Sequence, residues 1–358
     1  MRNDRLAAVW RGILCLAAGM AVSFLAMAVL ALMNDSAGTP AEAAAAAYRQ
    51  GLLPLIRGGL GAGAEGVRAT AAEWGVLILM TLSLSLCLRA GLLNAGAPGQ
   101  YGLGVLAAWL CAAVWQLPWF VSLAASAAAG ALGGAIFGWM RRQGAETAAE
   151  VLLDGIILYA VYALIQRISL QTPDAGAIQE ARQIPALGGG ADGYFARPVT
   201  VAVLIALICA TALWIAEKYT VWGYSIRLLG ASRPAAAYAG VKKQRMTVLC
   251  IALSGLLAGL GGGSGALAGM NQGISAAEAG LDGLGAALLC GGHPLGAMLS
   301  TAAVAHVRAG CRQMGAAYDG GLAAWLICGG GIPLCGWALR VWKRKTEQRA
   351  NGKKEEAR

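Results

Sequence analysis

VTVAVLIALICATALWI, Val199 to Ile215, carries no charged side chain from end to end, and its reading decides what kind of molecule this is. A helix that crosses a bilayer needs about 20 mainly apolar residues, because its backbone groups find no water there and must bond to one another. Working outward, the clearest companions are Trp10 to Met33, Leu117 to Met140, Met246 to Gly263 and Leu322 to Val341. Shorter or glycine-interrupted candidates are Trp74 to Leu88, Gly102 to Trp115, Val151 to Ile168, Leu281 to Cys290 and Leu295 to Val307. The expected fold is therefore all-α, a polytopic membrane protein with about ten transmembrane helices. The Leu281 to Val307 pair reads either as two crossings or as one crossing and a re-entrant segment. Trp10 to Met33 reads as a retained first helix, since no small-residue cleavage site precedes Asp35.

Composition agrees. Of 358 residues, 58% are hydrophobic and 13% charged, against roughly 25% charged in soluble domains. Gly, at 52 residues, suits helices that approach closely. The net charge of +10 has to be read loop by loop. Arg2, Arg5 and Arg11, then Arg141 and Arg142, then Lys218, Arg227, Arg233, Lys242, Lys243 and Arg245, then Arg340 and Lys343 to Lys345 fall on one side of a ten-span chain. Both termini are expected to be cytoplasmic, with segments 34–73 and 169–198 external, a membrane domain over 1–342 and a charged tail over 343–358 held near anionic lipid. Arg308 and Arg312 do not fit this pattern. Nucleic acid is excluded as a partner, because basic and aromatic residues do not interleave on any polar stretch.

Catalytic chemistry is missing. The two histidines, His293 and His306, have no acidic neighbours at ligand spacing, so no metal site is expected, and His293 before Pro294 reads as a helix-end group. Eight of the nine cysteines lie in apolar runs without CxxC spacing and read as packing residues. Gly61, Gly63 and Gly66 spell a lone GxGxxG with no βαβ unit around it, in a segment, Ala41 to Arg68, expected to form an interfacial helix. No GxxxxGK[ST] is present, so any ATP-driven motor is another polypeptide, and neither a cofactor nor an enzymatic activity is expected.

Two stretches stand out. The first is WGYSIRLLGASRPAAAYAGVKKQRM, Trp222 to Met246, within the cytoplasmic loop 217–245. Pro234 suits the first turn of a helix and Gly240 its end, which predicts a short helix over Pro234 to Ala239 with small residues on its face. The second is GLLNAGAPGQYGLG, Gly91 to Gly104, which breaks the apolar pattern after Arg89. Asn94 and Gln100 there either tie the break together or line a solute pathway.

The first stretch resembles the coupling loop of ABC permeases of the branched-chain amino acid, ribose and nucleoside group. Gly223, Arg227, Gly230, Pro234, Ala236, Ala237 and Gly240 fit its pattern, as do Ser254, Gly255, Ala258, Gly259 and Gly262 in the next span. Arg233 stands where the family usually has Asn, which removes an expected helix cap. Gly91, Leu92, Asn94, Gly96, Gly99 and Gln100 resemble a second signature of the group, with Pro98 in place of its Glu. Glu150 and Val151, and the segment Leu281 to Gly296, extend the likeness, and the layout is most similar to the larger permease of nucleoside importers that use a basic-membrane-protein-type lipoprotein. The resemblance implies a permease subunit of an ATP-driven importer, with ribose or sugar and branched-chain amino acid permeases as alternatives. It also implies docking of Arg227, Gly230, Pro234, Ala236, Ala237 and Gly240 onto an ATPase subunit, a second and different permease subunit, and an extracytoplasmic binding lipoprotein. The rival class is an ion-coupled secondary transporter, which usually keeps intramembrane carboxylates. Glu150, Asp154 and Asp282 read as span-end residues, and no buried acidic relay is expected.

Overall fold

The computed structural model describes residues 14, 17–29, 39–171, 178, 182–188, 199–269, 276–312, 314 and 327. Apart from Ile327, the expected span Leu322 to Val341 lies outside them, as does the tail. The chain is a helical bundle. A first helix, α1 (Ala17–Val29), precedes a broken helical segment made of α2 (Pro40–Ala46), a π-helical turn (Ala47–Leu52), α3 (Leu53–Arg57) and a 3-10 turn (Gly59–Ala62). The long helices follow: α4 (Gly63–Arg89), α5 (Ala97–Trp109, continued as a π-helix to Val114), α6 (Trp119–Arg142) and α7 (Thr147–Gln171). After them come α8 (Ala202–Tyr219), α9 (Val221–Ala231), α10 (Arg233–Tyr238), α11 (Lys243–Leu267), α12 (Ala276–Leu289) and α13 (Pro294–Cys311). Among the described residues, six helices are long and apolar enough to cross a membrane: α4, α5 with its extension, α6, α7, α8 and α11. At 14 residues, α12 spans only about 21 Å, short of a full crossing.

α4 and α11 form the centre, and α7 the periphery. In α4, 83% of the apolar window is buried within the chain, against 17% in α7, whose Leu152, Ile156, Tyr159 and Tyr162 point outward. α6 and α11 meet along a glycine ladder. Ser126, Gly130, Gly134 and Gly138 face Ile251, Gly255, Gly259 and Gly263, and a Cβ added at Gly138 would lie 2.9 Å from the Val248 Cα. Four-residue spacing puts these positions on one stripe of each helix, which lets the backbones touch.

Two expectations are corrected here. Val199 and Thr200 do not open the span: they form β2 (Val199–Thr200), paired antiparallel with β1 (Ala186–Gly188), and α8 starts at Ala202. The β-branched run Val199-Thr200-Val201 suits an extended ribbon better than a first helical turn. Glu73 does not belong to an external loop. It lies inside α4, fully buried.

Glu73 also explains the misplaced arginines. Arg308 Nη2 donates to Glu278 Oε2 at 2.9 Å, Nη1 pairs with Asp282, and Nε lies 3.7 Å from Glu73 Oε2, while Arg312 pairs with the other Glu73 oxygen. This cluster sits at the end of the bundle opposite the α12–α13 turn. Its cations are neutralised inside the protein and do not face a membrane surface, so a count of Lys and Arg misreads them. Glu150 (1% exposed), Asp154 (7%) and Asp282 (2%) are buried too, which corrects the expectation that none of these acids at or near span ends is well buried. Arg141 holds Glu150 in a two-point contact, with Nε donating to Oε1 at 2.6 Å.

Candidate docking and coupling site

The loop between α8 and α11 is mostly helical. Thr220 Oγ1 accepts the Gly223 N–H at 3.1 Å and starts α9, whose Gly223, Ile226 and Leu229 turn inward. This helix was not expected from the sequence, although the cap and the inward spacing were there to be seen. Gly230 closes against the carbonyl of Arg89, and Gly91, at φ +68°, would bring a Cβ within 3.2 Å of the Gly230 Cα. Two backbones therefore touch where α9 meets the end of α4, which requires glycine at both places. Arg227 sits on α9, partly buried.

α10 begins one residue earlier than expected, and its cap is present. Ser232 Oγ accepts the Ala235 N–H at 3.3 Å, so Arg233 in place of Asn removes nothing. At the other end Val241 N donates to Ala236 O at 2.9 Å and Gly240 N to Ala237 O at 3.0 Å, with Gly240 at φ +77°. This paired closure needs a left-handed residue, which is why glycine stands there. Pro234, Ala235, Ala237 and Gly240 are exposed, and Tyr238 is 95% exposed. Ala236 is different: it is 1% exposed, packed among Leu86, Ile226, Met246 and Ile251. It faces the bundle and not the exposed side of the helix, where Tyr238 takes the outward position.

The break between α4 and α5 is closed by polar side chains. Asn94 Nδ2 donates to Gln100 Oε1 at 2.7 Å and to Ser254 Oγ at 2.8 Å, and Gln100 Nε2 returns a bond to Asn94 Oδ1 at 3.2 Å. Ser254 Oγ in turn donates to Ser83 O at 2.9 Å. Asn94 is 3% exposed and Gln100 0%, so the two amides face each other and the α11 serine. Nearby, Asp154 Oδ1 accepts the Gly99 N–H at 2.6 Å, placing a carboxylate from α7 at the start of α5, where Gly96 provides no side-chain cap. Pro98, which stands in place of the signature's Glu, and Asp154 thus meet at one helix end.

His293 caps α13, its Nδ1 accepting the Gly296 N–H at 3.3 Å, in line with the helix-end reading. His306 Nδ1 accepts from Leu60 N at 3.1 Å and its Nε2 lies 3.2 Å from Ile56 O, which fixes the segment before α4 to α13. Gly61, Gly63 and Gly66 lie in that helical segment and in the start of α4. Among the described residues no group of three or more His, Cys, Asp or Glu is arranged to hold a metal ion.

Residues 67–328 match the family described as branched-chain amino acid transport system / permease component. The guanosine ABC transporter permease protein NupP of Bacillus subtilis (strain 168) is 27% identical over 252 residues, 66% of this chain and 71% of that one. The nucleoside ABC transporter permease protein NupB of Lactococcus lactis subsp. cremoris is 23% identical over 256 residues, 66% of this chain and 70% of its own. The glucose ABC transporter permease protein TsgB13 of Haloferax volcanii is 29% identical over 203 residues, 52% of this chain and 53% of its own.

Proposed function

The chain belongs to the branched-chain amino acid transport system permease family, and from that premise we propose that it carries nucleosides inward as one of two different permease subunits of an ABC importer. A permease of this family is not itself catalytic; ATP is hydrolysed by a partner ATPase, and a binding protein delivers the solute. Nucleoside as the solute is supported by similarity to the guanosine and nucleoside permeases across about two thirds of the chain. Sugar is the second reading, favoured by the glucose permease. The rival secondary transporter loses support because the buried acids are engaged: Glu73, Glu150, Glu217 and Asp282 each lie beside an arginine, and Asp154 accepts the Gly99 N–H.

The observation that carries the ATPase-docking role is α10, a capped helix anchored through Ala236 that presents Pro234, Ala235, Ala237 and Tyr238 outward. An ordered helix loses little entropy on docking. The bundle end that bears it holds Arg141, Arg142, Lys218, Arg233, Lys242, Lys243 and Arg245, which supports a cytoplasmic placement of this end and of both termini in a bacterial plasma membrane. Arg227 and Gly230 set the base of the helix, and Gly240 sets its end.

Co-purification with the ATPase tests the role. Ala237→Arg and Tyr238→Ala, both at exposed positions, are expected to cut ATPase retention by tenfold or more, on the order of the loss of one interface anchor, and to abolish guanosine uptake with the membrane content of the chain unchanged. Full retention in both variants rules α10 out as the docking element.

A further inference from the structure

Arg89, the last residue of α4, stands between two acceptors. Its Nε donates to Gly292 O at 3.1 Å and lies 3.6 Å from Glu217 Oε2. The first contact is a hydrogen bond; the second is an ion pair just beyond hydrogen-bond reach. Glu217 is 4% exposed, and its Oε1 has no hydrogen-bond partner among the described residues. A buried carboxylate is costly unless it is well paired, and a charge-assisted bond from the guanidinium to Oε2, the oxygen Nε already approaches, would strengthen its pairing.

The two acceptors belong to different elements. Glu217 is on the last turn of α8, where the docking loop begins, and Gly292 is in the turn between α12 and α13. The Arg89 backbone meanwhile touches Gly230 at the end of α9. Farther along, the α12–α13 hairpin is fixed to α4 by Trp74 Nε1 donating to Met298 O at 2.8 Å, by Thr301 Oγ1 donating to Thr81 Oγ1 at 3.1 Å, and by Arg308 beside Glu73. Release of the Arg89–Gly292 bond therefore removes a charged side-chain tie at the inner end of the hairpin, leaving there the weaker Ser85 Oγ–Cys290 Sγ contact at 3.8 Å, while the outer ties stay in place.

We propose that Arg89 is a positioning residue that exchanges between the Gly292 carbonyl and the Glu217 carboxylate when the docking helix is displaced, so that motor closure reaches the α12–α13 hairpin. The exchange needs a shift of less than about 1 Å, since an N–H···O bond forms near 2.9 Å. It rests on the importer reading above. Local rearrangements of this size produce global movement when packed elements have two discrete arrangements.

The test uses the complete importer, with ATPase and binding protein, in proteoliposomes, and reads guanosine carried per ATP hydrolysed. Glu217→Gln keeps the side-chain shape and removes the charged acceptor, while Arg89→Lys keeps the charge and loses the Nε donor. Each is expected to retain the ATPase and to lower the ratio at least about fivefold, the lower range of allosteric coupling. A scaffold role would lower the amount of assembled complex and leave the ratio alone. The proposal is overturned if either assembled variant keeps the wild-type ratio, or if neither variant assembles, because Arg89 is then scaffold. Absence of ATP-driven uptake by the wild-type importer sinks the nucleoside reading itself and this proposal with it, an outcome visible before any variant is made.

Discussion

Asn94 has two readings, and one side chain separates them. Its amide hydrogens go to Gln100 and Ser254, so Asn94→Ala leaves a glutamine carbonyl and a serine hydroxyl buried without a donor or acceptor they now have. The cost is about 1–3 kcal/mol, and thermal unfolding in detergent is expected to fall accordingly. A solute contact would instead raise KM for uptake with the unfolding midpoint unchanged, and that outcome would return Asn94 to the pathway. At this scale the sequence was most legible where backbone conformation leaves few choices. Gly240 at φ +77° and Pro234 in the first turn of α10 are where the turn rules put them. It was least legible where a partner is remote in the chain. Asp154 serves the N-terminus of α5 from 55 positions away, and Ser83 is hidden in an apolar run as an ordinary small residue.

Helices were legible as elements, but their faces were not. Hydropathy located α4, α6, α7, α8 and α11, because a bilayer demands long apolar runs whatever lies beside them. It could not separate a face toward lipid from a face toward another helix, since both are apolar, and Ala236 and Ala237 of α10 show the same blindness in miniature. Glycines supply the discrimination once the backbone is known. A Cβ at Gly134 of α6 would lie 3.0 Å from the Ala252 Cα and 3.1 Å from the Gly255 Cα, whereas one at Gly155 of α7 would meet nothing within 4 Å. Gly134→Leu is expected to force α6 and α11 apart and lose most folded protein, beyond the roughly 1–3 kcal/mol of an ordinary overpacked site. Gly155→Leu is expected to stay within about 0.5 kcal/mol of the parent or to gain slightly in helix propensity. Monodisperse yield and midpoint in detergent read both; equal behaviour would remove the ladder as the α6–α11 contact.

The whole molecule has two chemically distinct ends, and their difference supports the proposed direction in the membrane. At the α10 end the cations Arg233, Lys242, Lys243 and Arg245 are exposed, with no acidic residue between Lys218 and Arg245. At the other end Arg308 and Arg312 are drawn inside against Glu73, Glu278 and Asp282, two cations against three carboxylates. Only the first set is free to meet an anionic leaflet, so the apparent conflict in the arginine count turns into a second argument for the proposed orientation. Single cysteines in a background stripped of the native ones check it with a membrane-impermeant thiol reagent. Tyr238→Cys is expected to label only in inside-out vesicles, and Tyr48→Cys, at a half-exposed position of the outer segment, only in right-side-out cells. The reverse pattern would put the docking helix outside, where no ATPase can reach it, and would end the importer assignment along with the orientation.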